Sequence, residues 1–390
     1  MICQLFILAF LFVSSSGICT DISSCFSNSL PDDVILVEGI KGDVLYSKNR
    51  KKMFVPASTI KILTALAAIH HLGEGFRFKT EFYLDTDHNL TIKGYGDPFL
   101  VSEIWDEIAK TISKKISFIN DIIIDVSYFS RTIRIPGIGH SLNPYDAPVG
   151  ALCANFNTIY IKVDNNKVMS AEPQTPLIPF ALRLIGHIKK GGRYVISHDI
   201  EEAERYAAEL FRYFLKRHGV KVSGKIRFRY VGQKGNLIYV YHSKLTLTEL
   251  IKGVMEYSNN FIVNQIMLVL GAKIYGPPAT LKKGISVIKD YARYNLGLKD
   301  INIVEASGIS RQNQISSTGM AIILKRFRPY MELLKKKGNM YYKTGTLKGI
   351  RTRVGYIISR KQDIYLFVLF LREPSQDISQ VMDCMAHSIY

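Results

Sequence analysis

Hydrophobic and polar positions along the chain change period several times, and each change marks an element. Two short β-type runs, Val34–Val37 and Val44–Tyr46, flank the Gly39–Asp43 turn and predict a hairpin. From Pro56-Ala57-Ser58 the apolar residues Ile60, Leu63, Leu66, Ala67 and Ile69–Leu72 recur at helical spacing and stop at Gly73, the pattern of a buried helix with a glycine terminus. Over residues 76–240 the β-like pieces Phe78–Leu84, Ile119–Val126, Thr158–Val163 and Lys225–Tyr230 alternate with loops and one helix, Glu201–His218. Helical periodicity resumes over Leu247–Leu270 and Leu281–Leu296. Two apolar strands, Gly349–Ser359 and Asp363–Leu371, and a short final helix close the chain. No internal repeat or low-complexity tract interrupts the order.

One long uninterrupted apolar run, Leu5–Val13, is far shorter than the ~20 residues of a membrane-spanning helix. Small residues follow it at Ser14-Ser15-Ser16-Gly17, so residues 1–24 are read as a signal peptide, although Met1-Ile2-Cys3-Gln4 carries no Lys or Arg. Export to the periplasm or cell envelope is the expectation. A second reading of the same region takes Ile22-Ser23-Ser24-Cys25 as a lipidation site, which would add peripheral or lipid attachment to a membrane. Cys3 and Cys19 would leave with the signal. Cys25, Cys153 and Cys384 are too scattered for a metal cluster and are read as buried or incidental thiols.

Composition narrows the class. With 47% hydrophobic and 22% charged residues, the chain is globular rather than disordered or collagen-like, and 390 residues predict two or three compact units. Its 51 Lys and Arg against 33 Asp and Glu give a net charge of +18. The basic residues are spread out, with short clusters at Lys48–Lys52 and Lys335–Lys337, and no zinc-finger, RNA-recognition or basic-zipper pattern gathers them. A solvated exterior attracted to an anionic envelope fits this better than a nucleic-acid partner.

Three short sequences carry candidate chemistry: Ser58-Thr59-Ile60-Lys61, Ser258-Asn259-Asn260 and Lys343-Thr344-Gly345. Each is weak alone, because Ser-x-x-Lys recurs at Ser286–Lys289 and Ser-x-Asn at Ser47–Asn49 and Ser141–Asn143. Order and setting raise the signal. Ser58 opens a helix, where unpaired N–H groups and the positive dipole end favour a developing anion. Lys61 lies one turn on, on the same face, where its amine can take the serine proton. Ser286–Lys289 falls inside a periodic helix and is read as a surface pair. Ser258-Asn259-Asn260 follows the amphipathic Leu247–Tyr257 and can project hydrogen-bonding groups from a loop between helices. Lys343-Thr344-Gly345 leads into an apolar strand whose edge can pair with an extended peptide, Gly345 letting its backbone come close.

Together with Ile92–Leu100, Tyr145–Asn157, Glu172–Pro176, Glu305–Ile315, Lys343–Leu347 and Gly355-Tyr356, these motifs make the chain resemble the low-molecular-mass penicillin-binding proteins with D-alanyl-D-alanine carboxypeptidase and endopeptidase activity, the S13 peptidases. The anchors run in family order from about residue 34 to 371. The resemblance implies an α/β (α+β) fold: a transpeptidase/β-lactamase-like domain, residues 25–75 and 241–390, with a long, mostly β domain inserted at residues 76–240. There are departures: the insertion looks short, the segment before Lys343 lacks a glycine-rich stretch, and Asn259 stands where Asp is frequent.

Carried over by resemblance, Ser58 is the nucleophile and Lys61 its base, forming an acyl-enzyme with peptidoglycan stem peptides ending in D-Ala-D-Ala. Ser258 and Lys343 relay a proton to the leaving D-alanine. The backbone N–H groups of Ser58 and Thr346 form an oxyanion hole, Asn260 holds the substrate amide, and Lys343 with Thr344 holds its carboxylate. Arg311 and Asp125 are further candidates for contacts to the stem. β-Lactams would be covalent inhibitors, and no metal or organic cofactor is implied. The competing readings are a β-lactamase or penicillin sensor sharing the three motifs, and a catalytically idle peptidoglycan-binding protein.

Overall fold

The computed structural model describes residues 21–229, 235–374 and 377–390. Residues 1–20 of the expected signal lie outside the described residues, as does Tyr230 at the end of an expected strand.

The larger sheet has six antiparallel strands in the order Lys335–Lys337, Met340–Leu347, Ile350–Ile358, Ile364–Arg372, Val34–Gly39 and Val44–Lys48. The two ends of the chain therefore meet at its centre, with Val34 opposite Phe370. The central strands read as unbroken apolar runs because both sheet faces are covered. Leu36, Val354, Val368 and Phe370 join the core containing the helices Lys61–Leu72 and Ser317–Phe327. Ile35, Val37, Phe367 and Leu369 alternate to the opposite face, under the final helix Ile378–Ile389 and the turn Ile22–Phe26.

That opposite face corrects the reading of the cysteines. Cys25 and Cys384 form a disulfide across 359 positions, with Cα atoms 5.6 Å apart, tying the start of the described chain to the final helix. Spacing could not reveal it, since pairing depends on which distant segments share a sheet face. The bond also leaves Cys25 without a thiol for a lipid. Cys153 is free and buried.

The second sheet is drawn from the middle of the chain. Its order is Ile226–Phe228, Ile122–Asp125, Leu90–Gly94, Lys79–Leu84 and Asn236–His242, parallel across the first three strands and antiparallel across the rest. The helices Ser102–Ser113 and Ile200–Arg217 are packed together against it. The single Trp, Trp105, is fully buried with its ring 5.2 Å from Phe211, which in turn lies 5.5 Å from Phe82. A small three-stranded sheet, Lys167–Ser170, Thr158–Asp164 and Gly192–Val195, completes this region. With a third helix at Pro179–Ile185, the stretch 76–240 is mixed rather than mostly β. The overlooked Ser102–Ser113 helix does carry a periodic stripe, Ile104, Trp105, Ile108, Ala109 and Ile112, all buried; frequent turns on either side masked it.

Other expected elements shift slightly. The Leu247–Leu270 periodicity divides into Leu247–Tyr257 and Asn260–Tyr275, and Leu281–Leu296 into Leu281–Asp290 and a wider turn at Tyr291–Asn295. Lys343-Thr344-Gly345 lies within the Met340–Leu347 strand, ahead of the hairpin turn, rather than before a strand.

Candidate active site

Ser58 lies in a tight turn, Ala57–Ile60, that runs directly into the Lys61–Leu72 helix. Ala57 holds a left-handed φ of 49°, uncommon for a residue with a Cβ, so the surrounding structure must impose it. Two glycine segments close on this turn. A Cβ at Gly308, itself at φ 83°, would overlap the Ala57 carbonyl, and one at Gly345 would stand 3.0 Å from the Ser58 nitrogen. Thr352 Oγ1 adds a hydrogen bond to the Pro56 carbonyl at 2.9 Å.

Lys61 is fully buried. Its Nζ lies 2.8 Å from Ser58 Oγ, 2.7 Å from Asn260 Oδ1 and 2.6 Å from the Ser307 carbonyl. Burial first, and the charge of Lys343 second, hold its pKa well below the ordinary lysine value, with Glu305 opposing. A neutral amine has two N–H donors and one lone pair. Asn260 Oδ1 and the Ser307 carbonyl can accept only, so they take the donors and leave the lone pair for the Ser58 hydroxyl.

Ser258 ends the Leu247–Tyr257 helix in a left-handed conformation, φ 58° and ψ 32°. Asn259 caps the next helix by accepting from the Ile262 N–H at 3.1 Å. The cap thus occupies the middle residue of the motif and turns the flanking Ser258 and Asn260 toward the two lysines. Lys343 Nζ donates to Ser258 Oγ and to the Thr344 carbonyl, each at 2.9 Å. Burial, reinforced by Arg353, lowers the Lys343 pKa to about 7. The Lys335–Lys337 strand pairs only with Met340–Tyr342, so from Lys343 onward the outer edge of the Met340–Leu347 strand is unpaired among the described residues.

A cleft of about 670 Å³ opens over these groups. One wall holds Ser58, Ser258, Asn260, Gly308 and Thr346; the facing wall comes from the middle of the chain as Tyr145, Phe156, Thr158 and Arg193. Arg193 is fixed by Glu172 and sits 5.2 Å from the Tyr160 ring centre.

The structure therefore gathers Ser58, Lys61, Ser258, Asn260, Lys343, Gly345 and Thr346 at one site, with Thr344 half-buried beside Lys343. Arg311 lies beside the cleft and donates to the Lys348 carbonyl. Asp125 is absent from the cleft lining; it accepts from the Ser127 N–H and pairs with Lys93 at 3.5 Å. Ser286 and Lys289 ride on the Leu281–Asp290 helix, Lys289 exposed.

Glu305 had no assigned role in the sequence, yet it organises the loop that Lys61 meets. Fully buried, its carboxylate accepts from the Ser307 N–H and hydroxyl, both at 2.6 Å, the Gly308 N–H at 2.7 Å, the Ser310 N–H at 3.2 Å and Asn313 Nδ2 at 2.6 Å. An acidic residue followed by Ser-Gly and a nearby Asn is a turn signal, but its burial depends on tertiary packing.

Known proteins resemble this chain in sequence and in fold. The model of the D-Ala-D-Ala carboxypeptidase 3 (S13) family matches residues 33–179 and 181–333. The chain is 23% identical over 401 aligned residues to D-alanyl-D-alanine carboxypeptidase DacB of Haemophilus influenzae, covering 85% of this chain and 83% of that protein. It is 22% identical to a D-alanyl-D-alanine carboxypeptidase of Actinomadura sp. over 342 residues, 75% of this chain and 63% of that one. Among solved structures, penicillin binding protein 4 from Haemophilus influenzae superposes with a TM-score of 0.79 at 20% identity, over 95% of this chain and 98% of that one. A predatory endopeptidase from Bdellovibrio bacteriovorus gives 0.59 at 16% identity, over 91% and 92%.

Proposed function

The chain belongs to the D-Ala-D-Ala carboxypeptidase 3 (S13) family, and from that premise we propose that it cleaves peptidoglycan stem peptides through an acyl-enzyme on Ser58. The serine-type carboxypeptidase activity follows from the family; the assignment to particular residues is our reading of the site. The observation that carries it is the setting of Lys61, a buried amine whose other contacts leave its lone pair to Ser58.

In this mechanism Lys61 removes the hydroxyl proton as Ser58 Oγ bonds to the carbonyl carbon between the two D-alanines. The oxyanion forms against the N–H groups of Ser58 and Thr346, a type of stabilisation that contributes ~3–4 kcal/mol per donor. The C–N bond then breaks. The leaving D-alanine takes its proton through Ser258, whose hydroxyl is held by Lys343. Water next attacks the ester, releases the shortened peptide and restores Ser58. Asn260 binds the substrate amide, and Lys343 with Thr344 its terminal carboxylate. Arg311, beside the cleft, keeps a place as a contact to the stem. For Asp125 we favour a structural part, because Lys93 and Ser127 already engage it.

We read residues 25–75 and 241–390 as the catalytic unit and 76–240 as the insertion; the different origins of the strands in the two sheets support this. We also infer export to the periplasm or cell envelope, for which the Cys25–Cys384 disulfide argues because such bonds persist in oxidising compartments. Lipid attachment at Cys25 is withdrawn, and a net charge of +18 supplies electrostatic attraction to an anionic envelope instead.

The test is the intact mass of the protein after incubation with benzylpenicillin, followed by peptide mapping. A penicilloyl adduct on Ser58, absent in Ser58→Ala, is expected, together with loss of D-alanine release by at least about 10³-fold in that variant. D-alanine release by Ser58→Ala at the parent rate would sink the mechanism.

A further inference from the structure

Arg353 is an unusual cation for its position. It sits on the Ile350–Ile358 strand directly opposite Thr344, half-buried, and it forms no ion pair among the described residues. Its guanidinium Nη1 donates instead to two backbone carbonyls, that of Thr352 at 2.8 Å and that of Gly345 at 3.4 Å. A guanidinium withdrawn from water with no carboxylate is costly unless its charge is used.

The Gly345 carbonyl belongs to the same peptide unit as the Thr346 N–H. A trans peptide directs its C=O and N–H to opposite sides. The Gly345 C=O is met by Arg353 from the neighbouring strand, so the Thr346 N–H faces the opposite, unpaired edge, and Thr346 lines the cleft beside Ser58. A positive charge at the oxygen end of this peptide draws electron density from its nitrogen and strengthens the N–H as a donor, as hydrogen bonds in series polarise one another. The same stretch packs on Ser58, where a Cβ at Gly345 would stand 3.0 Å from the serine nitrogen. Holding this peptide in place thereby also sets the spacing between the two N–H donors.

We propose that Arg353 is a positioning residue of the oxyanion hole, its guanidinium fixing and polarising the Gly345–Thr346 peptide so that the Thr346 N–H meets the developing oxyanion as a stronger donor. This deepens the reading of Ser58 and Thr346 given above and rests on it. Arg353 itself touches no substrate.

The experiment compares the parent enzyme with Arg353→Met and Arg353→Lys. Four quantities are read: the rate of benzylpenicillin acylation, the kcat and the KM for a D-Ala-D-Ala peptide, and the infrared band of the acyl-ester carbonyl. In Arg353→Met, acylation and kcat are expected to fall about tenfold, part of the 10²–10³-fold effect of losing a whole donor, with KM little changed. The ester band should move to higher wavenumber, because a less polarised carbonyl vibrates faster. Arg353→Lys should recover part of both effects. If Arg353→Met does not fold, Arg353→Gln keeps a donor without the charge and is set against Arg353→Lys in the same way. Unchanged rates and an unchanged band overturn the proposal. So does a raised KM at constant kcat and band, which would make Arg353 a carboxylate-binding residue. Either result leaves the parent Ser58 adduct intact. Absence of that adduct in the parent would instead bring down the nucleophile assignment, and this proposal with it.

Discussion

The two walls of the cleft are built differently. On the wall holding Ser58, buried polar groups are locked by several hydrogen bonds each: Lys61 has three partners, Lys343 two, and Glu305 binds four residues of one loop. Left-handed backbone at Ala57 and Ser258 aims the side chains, and the surrounding packing holds that strain. The facing wall is looser. Tyr145 is 50% exposed, and Arg193 is fixed by a partly exposed ion pair. Among the described residues, the lining on that side holds no Lys, His, Asp or Glu. The difference teaches that bond making needs groups held to fractions of an ångström, whereas peptide selection can use broad, adaptable surface. The contrast can be tested by disturbing each wall and asking whether chemistry or recognition suffers.

The largest effect after loss of Ser58 itself is expected behind the reacting groups, at Glu305→Gln. The amide would turn an NH2 toward at least one donor now satisfied by carboxylate, and the 305–310 loop would shift against Lys61. A misplacement of about 1 Å can cost ~10²-fold in rate. We expect kcat to fall by about that factor, with the melting temperature also lower. Equal kcat in parent and variant would mean that this wall is less tightly determined than its hydrogen bonds imply.

The next effect concerns pH and the two lysines. Both have pKa values lowered chiefly by burial, that of Lys343 to about 7. Acylation should rise with pH as Lys61 gives up its proton, then fall above about 7 as Lys343 loses the charge proposed to hold the substrate carboxylate, giving a bell. Lys343→Ala should remove the alkaline limb and raise the KM for the peptide about tenfold while leaving the fold intact. Stability runs in one direction. A cation with a lowered pKa in the folded state binds fewer protons folded than unfolded, so stability should increase with pH between about 7 and 10.5. Urea denaturation at pH 7 and pH 9 checks this, and Lys343→Met should flatten the rise.

A smaller effect, of a different kind, is expected on the opposite wall. Tyr145→Ala removes an exposed aromatic face, worth about 0.5–1.5 kcal/mol to a ligand that packs on it. Peptide kcat/KM should fall about fivefold, while acylation by benzylpenicillin, which carries no stem peptide, stays within about twofold. An equal loss toward both reagents would erase the division between chemistry and selection.

The same contrast governs what could be read from the chain. The residues proposed to react were legible as a group because Ser58–Lys61 and Ser258–Asn260 are local spacings whose geometry follows from one helix turn or one cap. The doubly covered strand Ile364–Arg372 was legible from its unbroken apolar run. Glu305 and Arg353 were not, because the backbone each one holds is brought close only by tertiary packing. Asp125 drew notice for ending a strand, but strand ends also serve simple ion pairs, here with Lys93. The Ser102–Ser113 helix was hidden by the turns around it, and the Cys25–Cys384 bond by a separation of 359 residues.

That disulfide supplies the smallest expected effect on activity and the control for the whole comparison. It lies on the sheet face turned away from Ser58, joining the Ile22–Phe26 turn to the Ile378–Ile389 helix over a core that includes Ile35, Leu369 and Met385. Closing so long a loop restricts mainly the unfolded chain, and its removal should cost about 2–5 kcal/mol of stability. The double variant Cys25→Ser, Cys384→Ser avoids leaving one reactive thiol. Its chemical denaturation midpoint should drop clearly, yet below that midpoint acylation and D-alanine release should match the parent, because among the described residues nothing on the Ser58 wall bonds to the final helix. If kcat fell together with stability, the sheet would be transmitting strain from its outer face to the Gly345–Thr346 edge, and the rigidity credited to the catalytic wall would depend on both faces of the sheet.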